Sequence, residues 1–448
     1  MNNNSINVRE LAAEILLSID KKEEHSHILL KNVLDKYDYL PQADKNFIKR
    51  VVTGTLEQRV KIDYIINFYS KTPVNKMKPL IRNLIRMSVY QIIYMDKVPD
   101  SAICNEAVKL TGKRGLKGLQ GFVNGLLRGI IRGYEDLLKE MDKDSFLAGD
   151  VCKAISVRYS TPELIVESMI SDYGVDVTTK ALENALKIKD IYVRVDETLD
   201  EDAIKSITDE WEANGIRYHK SNIYDYAYGL EGADKLGKLE YFGSGAYTVQ
   251  DISSMLVVNE AGIRAGDKIL DMCAAPGGKS MHAANRLKCL ERDMDITPGL
   301  IISRDVSDYK VNLIEENINR LHIDNIDTEV WDATVYDDSM KEWADVVIAD
   351  VPCSGFGVIG RKPDIKYNLT KESLDGIVTL QRQIIDNAMD YVKKGGTLMF
   401  STCTMRKREN DDNRDYILSR GDFSLIMEKQ LFITDETDGF YIAKFVKN

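Results

Sequence analysis

The amino-acid sequence predicts a multidomain protein with an all-α N-terminal domain, a small α/β module and a C-terminal α/β domain of Rossmann-like, doubly wound layout. Three observations carry this expectation. At 448 residues the chain is too long for one ordinary core. Apolar residues in its first third recur at spacings of three and four, the period of amphipathic helices. From Gly243 onward short apolar runs alternate with helical stretches, the pattern of a parallel sheet covered on both faces. The expected divisions are 1–142, 143–242 and 243–448.

The helical period shows in Val8, Leu11, Ala12, Ile15 and Leu16, and again in Ile81, Leu84, Ile85, Val89 and Ile92. Pro73, Pro79 and the glycines from Gly112 to Gly121 punctuate this part, and Pro99-Asp100-Ser101 marks a helix start. The polar stretch 133–150 reads as a connector. Thr161-Pro162-Glu163 then opens a helix, with Thr161 as N-cap and Pro162 at the first helical position. Ile191-Tyr192-Val193-Arg194-Val195 alternates like a strand. In the last part the expected strands are 268–272, 300–304, 328–331, 344–349 and 397–401, and the expected helices are 278–290, 309–321 and 373–392.

With 44% hydrophobic and 29% charged residues the composition is that of a soluble globular protein, without low-complexity tracts. Residues 1–20 lack the basic and apolar regions of a signal peptide, and the apolar runs are too short to span a bilayer, so a cytoplasmic protein without membrane contact is expected. The six cysteines stand singly, with no CxxC and no histidine at zinc-ligand spacing, so neither a disulfide framework nor a bound metal is expected. Nothing in the sequence predicts an oligomer. The net charge of −11 hides an uneven distribution: residues 61–132 carry thirteen Lys and Arg against four Asp and Glu, whereas 151–448 carry 36 against 52. A basic helical surface of that kind is either solvated or an RNA-binding face.

The chemistry concentrates at expected strand ends. Asp271-Met272-Cys273-Ala274-Ala275-Pro276-Gly277-Gly278-Lys279-Ser280 forms a glycine-containing turn between a strand and a helix, where backbone N–H groups approach a nucleotide-like ligand. It departs from GxGxxG and from the P-loop, which disfavours NAD and ATP. Asp305, Asp332 and Asp350 end the next three strands, and with Asp271 they would line one crevice, although each alone reads equally well as a helix cap. Cys353 and Cys403 follow two strands at the same edge. A single cysteine there is more often packing than catalyst; two shift the balance toward thiol chemistry. Cytosine C5 is a poor nucleophile until a thiolate adds at C6, and that reaction needs an activated thiol and a carboxyl group to polarise the base.

The runs DMCAAPGGKS, DVPCSGFGVIGRKPDIKY and STCTMRKREN resemble those of the RNA cytosine-5 methyltransferases of the RsmB (Sun, Fmu) type. Gly121-Phe122-Val123-Asn124-Gly125-Leu126-Leu127-Arg128 resembles the signature of the NusB-like RNA-binding domain of that subfamily, and Tyr247-Thr248-Val249-Gln250-Asp251-Ile252-Ser253-Ser254 resembles its entry to the catalytic domain. The resemblance spans nearly the whole chain.

It implies that Cys403 is the nucleophile and that Cys353 assists product release. It also implies that Cys273, Ala274, Ala275, Pro276, Gly277, Gly278 and Lys279 hold S-adenosylmethionine, with Asp305 at its ribose and Asp332 at its adenine end. Asp350 would position cofactor or cytosine. Arg361 and Lys362 would add phosphate contacts, and small-subunit ribosomal RNA would be the partner. Transfer RNA as substrate, or a non-catalytic RNA-binding factor of antitermination type, are the alternatives. Thr404 stands where serine is commoner, and Arg408-Glu409-Asn410 where the run is more acidic. An insertion near 290–298 leaves Asp308 as an alternative to Asp305.

Overall fold

Amphipathic periodicity in the first part of the chain becomes a succession of helices, among them Val8–Asp20, Gln42–Glu57, Arg59–Tyr69, Pro79–Tyr94, Asp100–Lys113 and Gln120–Ile131. The computed structural model describes residues 7–21, 26–187, 189–233 and 236–448. These form two compact units, the first comprising 1–186 with 359–369 and the second 187–358 with 370–448. Asn7 caps the first helix by accepting the N–H groups of Arg9 and Glu10. Ile62, Ile66, Ile85, Val89, Val123 and Leu127 close one core of the helical unit, and Leu11, Ile15, Ile48, Val52 and Leu84 a second.

A charged centre ties these helices together. Asp20 accepts from Arg82 Nη2 at 2.7 Å and Asn83 Nδ2 at 3.1 Å, with Arg59 Nη1 at 3.3 Å, while Arg86 grips Asp63 through two bonds of 2.7 Å. Burial opposes ionisation of Asp20, but Arg59, Arg82 and Arg86 outweigh it and hold its pKa below the ordinary value. Removing one partner of such a network leaves the others buried and uncompensated. Asp20→Ala is therefore expected to destabilise the helical unit by about 3–5 kcal/mol, read as a lower denaturant midpoint for its unfolding in the full chain.

The second unit contains two sheets. Strands β1 (Ile191–Val195), β2 (Arg217–Lys220), β3 (Ala227–Glu231) and β4 (Tyr247–Val249) form an antiparallel sheet in the order β2-β3-β1-β4, backed by the Glu201–Ala213 helix and Trp211. Strands β5 (Lys268–Asp271), β6 (Leu300–Asp305), β7 (Ile326–Val330), β8 (Ala344–Asp350), β9 (Val392–Thr402), β10 (Phe423–Leu431) and β11 (Phe440–Lys447) form the larger sheet, in the order β10-β11-β9-β8-β5-β6-β7. From β7 to β9 its neighbours pair in parallel, and the β10–β11 hairpin is added antiparallel on β9. Val347, Leu398 and Phe400 pack one face, and Ile269, Ile301 and Met399 the other. The central strands read as continuous apolar runs because both faces are covered.

The expected strands and helices of the last part are present within a few residues. Three local details differ from expectation. Pro162 is the N-cap of the Glu163–Ala185 helix rather than its first helical residue. That helix is broken at Gly174, whose φ of 80° no helix accommodates. The expected division at 142/143 does not coincide with a unit boundary, because the Val151–Arg158 and Glu163–Ala185 helices group with the helical unit, and the strands begin only at Ile191. Residues 359–369 also group there: buried Lys366 donates to the carbonyls of Glu57 at 3.0 Å and Ser160 at 2.8 Å, and Tyr367 Oη to that of Leu56 at 2.7 Å.

Candidate active site

Chain order reverses direction in the large sheet between β5 and its neighbours: the chain moves from β5 to β6 and β7 on one side, then crosses to β8 and β9 on the other. Such a switch point opens a crevice at the carboxyl ends of the strands. The loop after β5 lies there. Ala274 N–H donates to the Arg304 carbonyl at 2.9 Å, Ala275 N–H to Asp305 Oδ2 at 3.0 Å, and Gly277 N–H to the Ala274 carbonyl at 2.7 Å. Gly277 has φ 100°, and a Cβ there would lie 2.5 Å from the end of Met281 and 3.2 Å from Ile314, so only glycine closes this turn without strain. The Gly278–Glu291 helix starts at once, leaving its first N–H groups free of helical partners.

The carboxylates around the loop differ in environment. Asp305 is 4% exposed and accepts from Ala275, from Val306 N–H at 2.8 Å and from Lys310 Nζ at 2.9 Å. Asp350 accepts from Lys279 Nζ at 2.6 Å and from Ser401 Oγ at 2.7 Å. Burial opposes the charge of Lys279, yet Asp350 outweighs it and raises the ammonium pKa. Asp332 is exposed, and Thr334 binds its Oδ1 through backbone and hydroxyl, which lowers its pKa. Asp271, buried beneath the loop, accepts from Ser280 Oγ at 2.7 Å and is pushed up to about 7 by burial.

The sign of the Asp271 effect is opposite to that of a salt-bridged carboxylate. Its folded pKa exceeds the unfolded one, so ionisation costs stability progressively as pH rises from about 4, the ordinary carboxylate value, to about 7. Asp271→Asn is expected to flatten that part of the stability profile, with the gain largest above pH 7, as thermal melts across the pH range would measure.

The two cysteines meet. Parallel pairing sets Asp350 at the end of β8 opposite Ser401 in β9, and beyond these ends the Cys353 and Cys403 Sγ atoms are 3.1 Å apart. Neither is in a disulfide, and both are partly exposed. The contact with Cys403, followed by burial, holds the Cys353 thiol well above its ordinary pKa. Gly357 lets the backbones close in here, its N–H donating to the Cys403 carbonyl at 3.0 Å and its carbonyl accepting from Gly439 at 3.0 Å. A Cβ at Gly357 would overlap the Gly439 carbonyl.

The structure thus gathers Cys273–Lys279, Asp305, Asp350, Cys353 and Cys403 at one edge of the sheet. Cys273 contributes backbone rather than a reactive thiol, since burial and then Asp305 and Asp271 push its pKa up. Asp305 reaches the loop despite the insertion, which forms an excursion between Glu291 and Gly299; Asp308 instead opens the Asp308–Leu321 helix. Asp332 sits in a turn beyond β7, where Thr334 binds it. Sequence reasoning did not single out Ser280 and Ser401, which tie the carboxylates of Asp271 and Asp350; both lie inside motifs it quoted. Arg361 and Lys362 are exposed. Among the described residues no cluster of side chains suits a metal ion, and no helix is long and apolar enough to cross a membrane.

Comparison with known proteins agrees with this architecture. Residues 261–446 match the family described as 16S rRNA methyltransferase RsmB/F, and residues 6–132 match the NusB family. The chain is 33% identical to a probable ribosomal RNA small subunit methyltransferase B of Bacillus subtilis (strain 168), over 98% of both chains. It is 27% identical to ribosomal RNA small subunit methyltransferase B of Cronobacter sakazakii, over 99% of both. Among solved structures, PH0851 shares the fold across 99% of both chains with a TM-score of 0.80 at 21% identity. NSun6 from Pyrococcus horikoshii with SFG matches 64% of this chain and 98% of its own, with a TM-score of 0.55 at 20% identity.

Proposed function

Since the chain belongs to the RsmB/F family of 16S rRNA methyltransferases, we propose that it transfers a methyl group from S-adenosylmethionine to C5 of one cytosine in small-subunit ribosomal RNA, through a covalent bond between Cys403 Sγ and C6 of the base. The observation that carries this reading is the thiol pair 3.1 Å apart beside Asp350. S-adenosylmethionine, when bound, supplies an electrophilic methyl group on a sulfonium. The crevice residues fit it: Asp305 keeps a lone pair on Oδ2 for a ribose hydroxyl, and Asp332 in its turn beyond β7 would serve the adenine end. The backbone of 273–279 would close around the rest.

In this reading Cys353, whose pKa the contact with Cys403 and burial both raise, keeps its proton, and Cys403, the cysteine the motif resemblance marks as nucleophile, is the attacking sulfur. As Cys403 adds to C6, electron density moves toward N3, which takes up a proton from solvent beside the Asp350 carboxylate that Lys279 Nζ holds at 2.6 Å, and that proton returns to solvent when the C5–C6 double bond re-forms. C5 becomes the electron-rich position. Once methylated, C5 loses its proton to a base, the C5–C6 double bond re-forms, and the C6–S bond breaks with Cys353 S–H donating to the departing sulfur. The base must leave its stack to reach Cys403, which favours a loop or exposed strand of RNA.

Exposed Lys71, Lys76, Lys78, Lys97, Lys117 and Arg132 of the NusB domain would hold phosphates and give salt-sensitive affinity, while the crevice selects the base. The reduced thiols suit a cytoplasmic reaction. The test is transfer of tritiated methyl from S-adenosylmethionine into separated small-subunit, large-subunit and transfer RNA. Label recovered as 5-methylcytosine in small-subunit RNA supports the proposal. Label in transfer RNA alone moves the substrate, and label in another nucleoside contradicts the thiol chemistry.

A further inference from the structure

The run Arg406-Lys407-Arg408-Glu409-Asn410 has the composition of a solvated surface segment, yet Glu409 and Asn410 are both 0% exposed. Burying an ionisable side chain is costly unless every lone pair is used. Glu409 Oε2 accepts the backbone N–H of Ser354 at 2.8 Å and Gln381 Nε2 at 3.1 Å, and Arg406 Nη1 stands 3.5 Å from Oε1. Gln381, in the Lys371–Tyr391 helix, also donates to the Pro352 carbonyl at 2.9 Å and accepts from Asn413 Nδ2 at 2.8 Å. Pro352 and Ser354 flank Cys353, so both backbone neighbours of that cysteine are gripped by side chains from elsewhere.

The Cys403 side is held by the same group of residues. Asn410 accepts from Thr402 Oγ1 at 2.6 Å and donates to the Thr404 carbonyl at 3.1 Å, bracketing Cys403, and Ser354 Oγ meets Thr404 Oγ1 at 2.8 Å. We propose that Glu409, with Gln381 and Asn410, is a positioning clasp that binds the Cys353 loop to the Cys403 loop and fixes the spacing of the two sulfurs. Its consequence for catalysis rests on the reading of these cysteines given above. Neither Glu409 nor Gln381 need touch substrate; they act through Cys353, whose backbone they locate. A shift of about 1 Å between two groups that must act in turn on one base is enough to slow turnover without weakening cofactor binding.

The clasp is testable without methylation. Phenylarsine oxide bridges two closely spaced thiols, forming two As–S bonds and releasing water. With the full chain it is expected to consume two of the six thiols at one arsenical per molecule, and not to do so in Cys403→Ser. In Glu409→Ala and Gln381→Ala the arsenical affinity is expected to fall about 10-fold or more, with S-adenosylmethionine affinity and thermal midpoint retained in at least one of them. Methyl-transfer kcat should fall by about 30-fold with KM for RNA little changed. Glu409→Gln, which keeps an acceptor for Ser354 and Gln381, should recover most of both. Wild-type arsenical affinity and kcat in folded Glu409→Ala and Gln381→Ala would overturn the clasp. Lost arsenical affinity with unchanged methylation would sustain the clasp and overturn instead the catalytic role of the thiol pair.

Discussion

Cys403→Ala is expected to lower methyl transfer by at least about 10³-fold, because in the proposed cycle Cys403 forms the bond to C6 without which C5 does not accept a methyl group, while Cys353 keeps its proton. The variant should fold, since Cys403 lies partly exposed beyond the end of β9 and contributes no core packing that alanine cannot replace. Affinity for S-adenosylmethionine, measured calorimetrically, should change by less than about 3-fold, because the 273–279 loop, Asp305 and Asp350 are untouched. Covalent capture of RNA, read as a band stable to denaturing gel electrophoresis, should disappear.

Cys353→Ala is expected to act at the other end of the cycle. In the proposed cycle Cys353, its Sγ 3.1 Å from that of Cys403 and its pKa raised, helps the C6–S bond break rather than form. Turnover should drop by roughly 10²-fold, the scale on which a positioned proton donor contributes. A single methyl transfer should still occur, and the RNA–protein adduct should accumulate instead of passing unseen. Loss of both turnover and adduct in a folded Cys353→Ala protein would mean that the roles of the two sulfurs are exchanged or shared. The two variants thus give opposite covalent signatures, which a simple loss of structure would not produce.

The sequence made the sheet centre legible because strands covered on both faces are apolar throughout, as in Lys268–Asp271 and Ala344–Asp350, and because the residues that matter stand at their ends. The C-terminal hairpin was not anticipated. In β10 no position after Phe423 is fully buried, the neighbours Glu428 and Lys429 are both exposed, and a bulge between Leu425 and Met427 shifts the pairing register. The charge count over 61–132 overstated the basic surface. Arg82 and Arg86 are consumed inside by Asp20 and Asp63, and Lys113 and Arg114 pair with Glu10 and Glu14. Those partners other than Asp63 lie outside the counted window.

The site divides in the same way. Spacing along the chain placed both cysteines at one edge, but fifty residues separate them, and only the parallel register of β8 with β9 brings their sulfurs together. Glu409 is harder still to find from sequence, because a carboxylate between arginine and asparagine looks like solvated surface until its partners Ser354 and Gln381 are known. Of the four strand-end carboxylates expected to line one crevice, Asp271 senses the charges of Asp350 and Asp305, and Asp332 is bonded to Thr334 in a turn beyond β7. Strand ends are visible in sequence; the way the loops beyond them fold back is set by tertiary hydrogen bonds.

The most direct test of the central claim is bisulfite sequencing of ribosomal and transfer RNA from cells that contain the protein, lack it, or carry only Cys403→Ala. One cytosine of small-subunit RNA is expected to be protected from conversion only when the wild-type protein is present, and the alanine variant is expected not to restore protection. If no 5-methylcytosine depends on the protein, or if Cys403→Ala restores it fully, the assignment of Cys403 as the nucleophile of a cytosine-C5 transfer is contradicted.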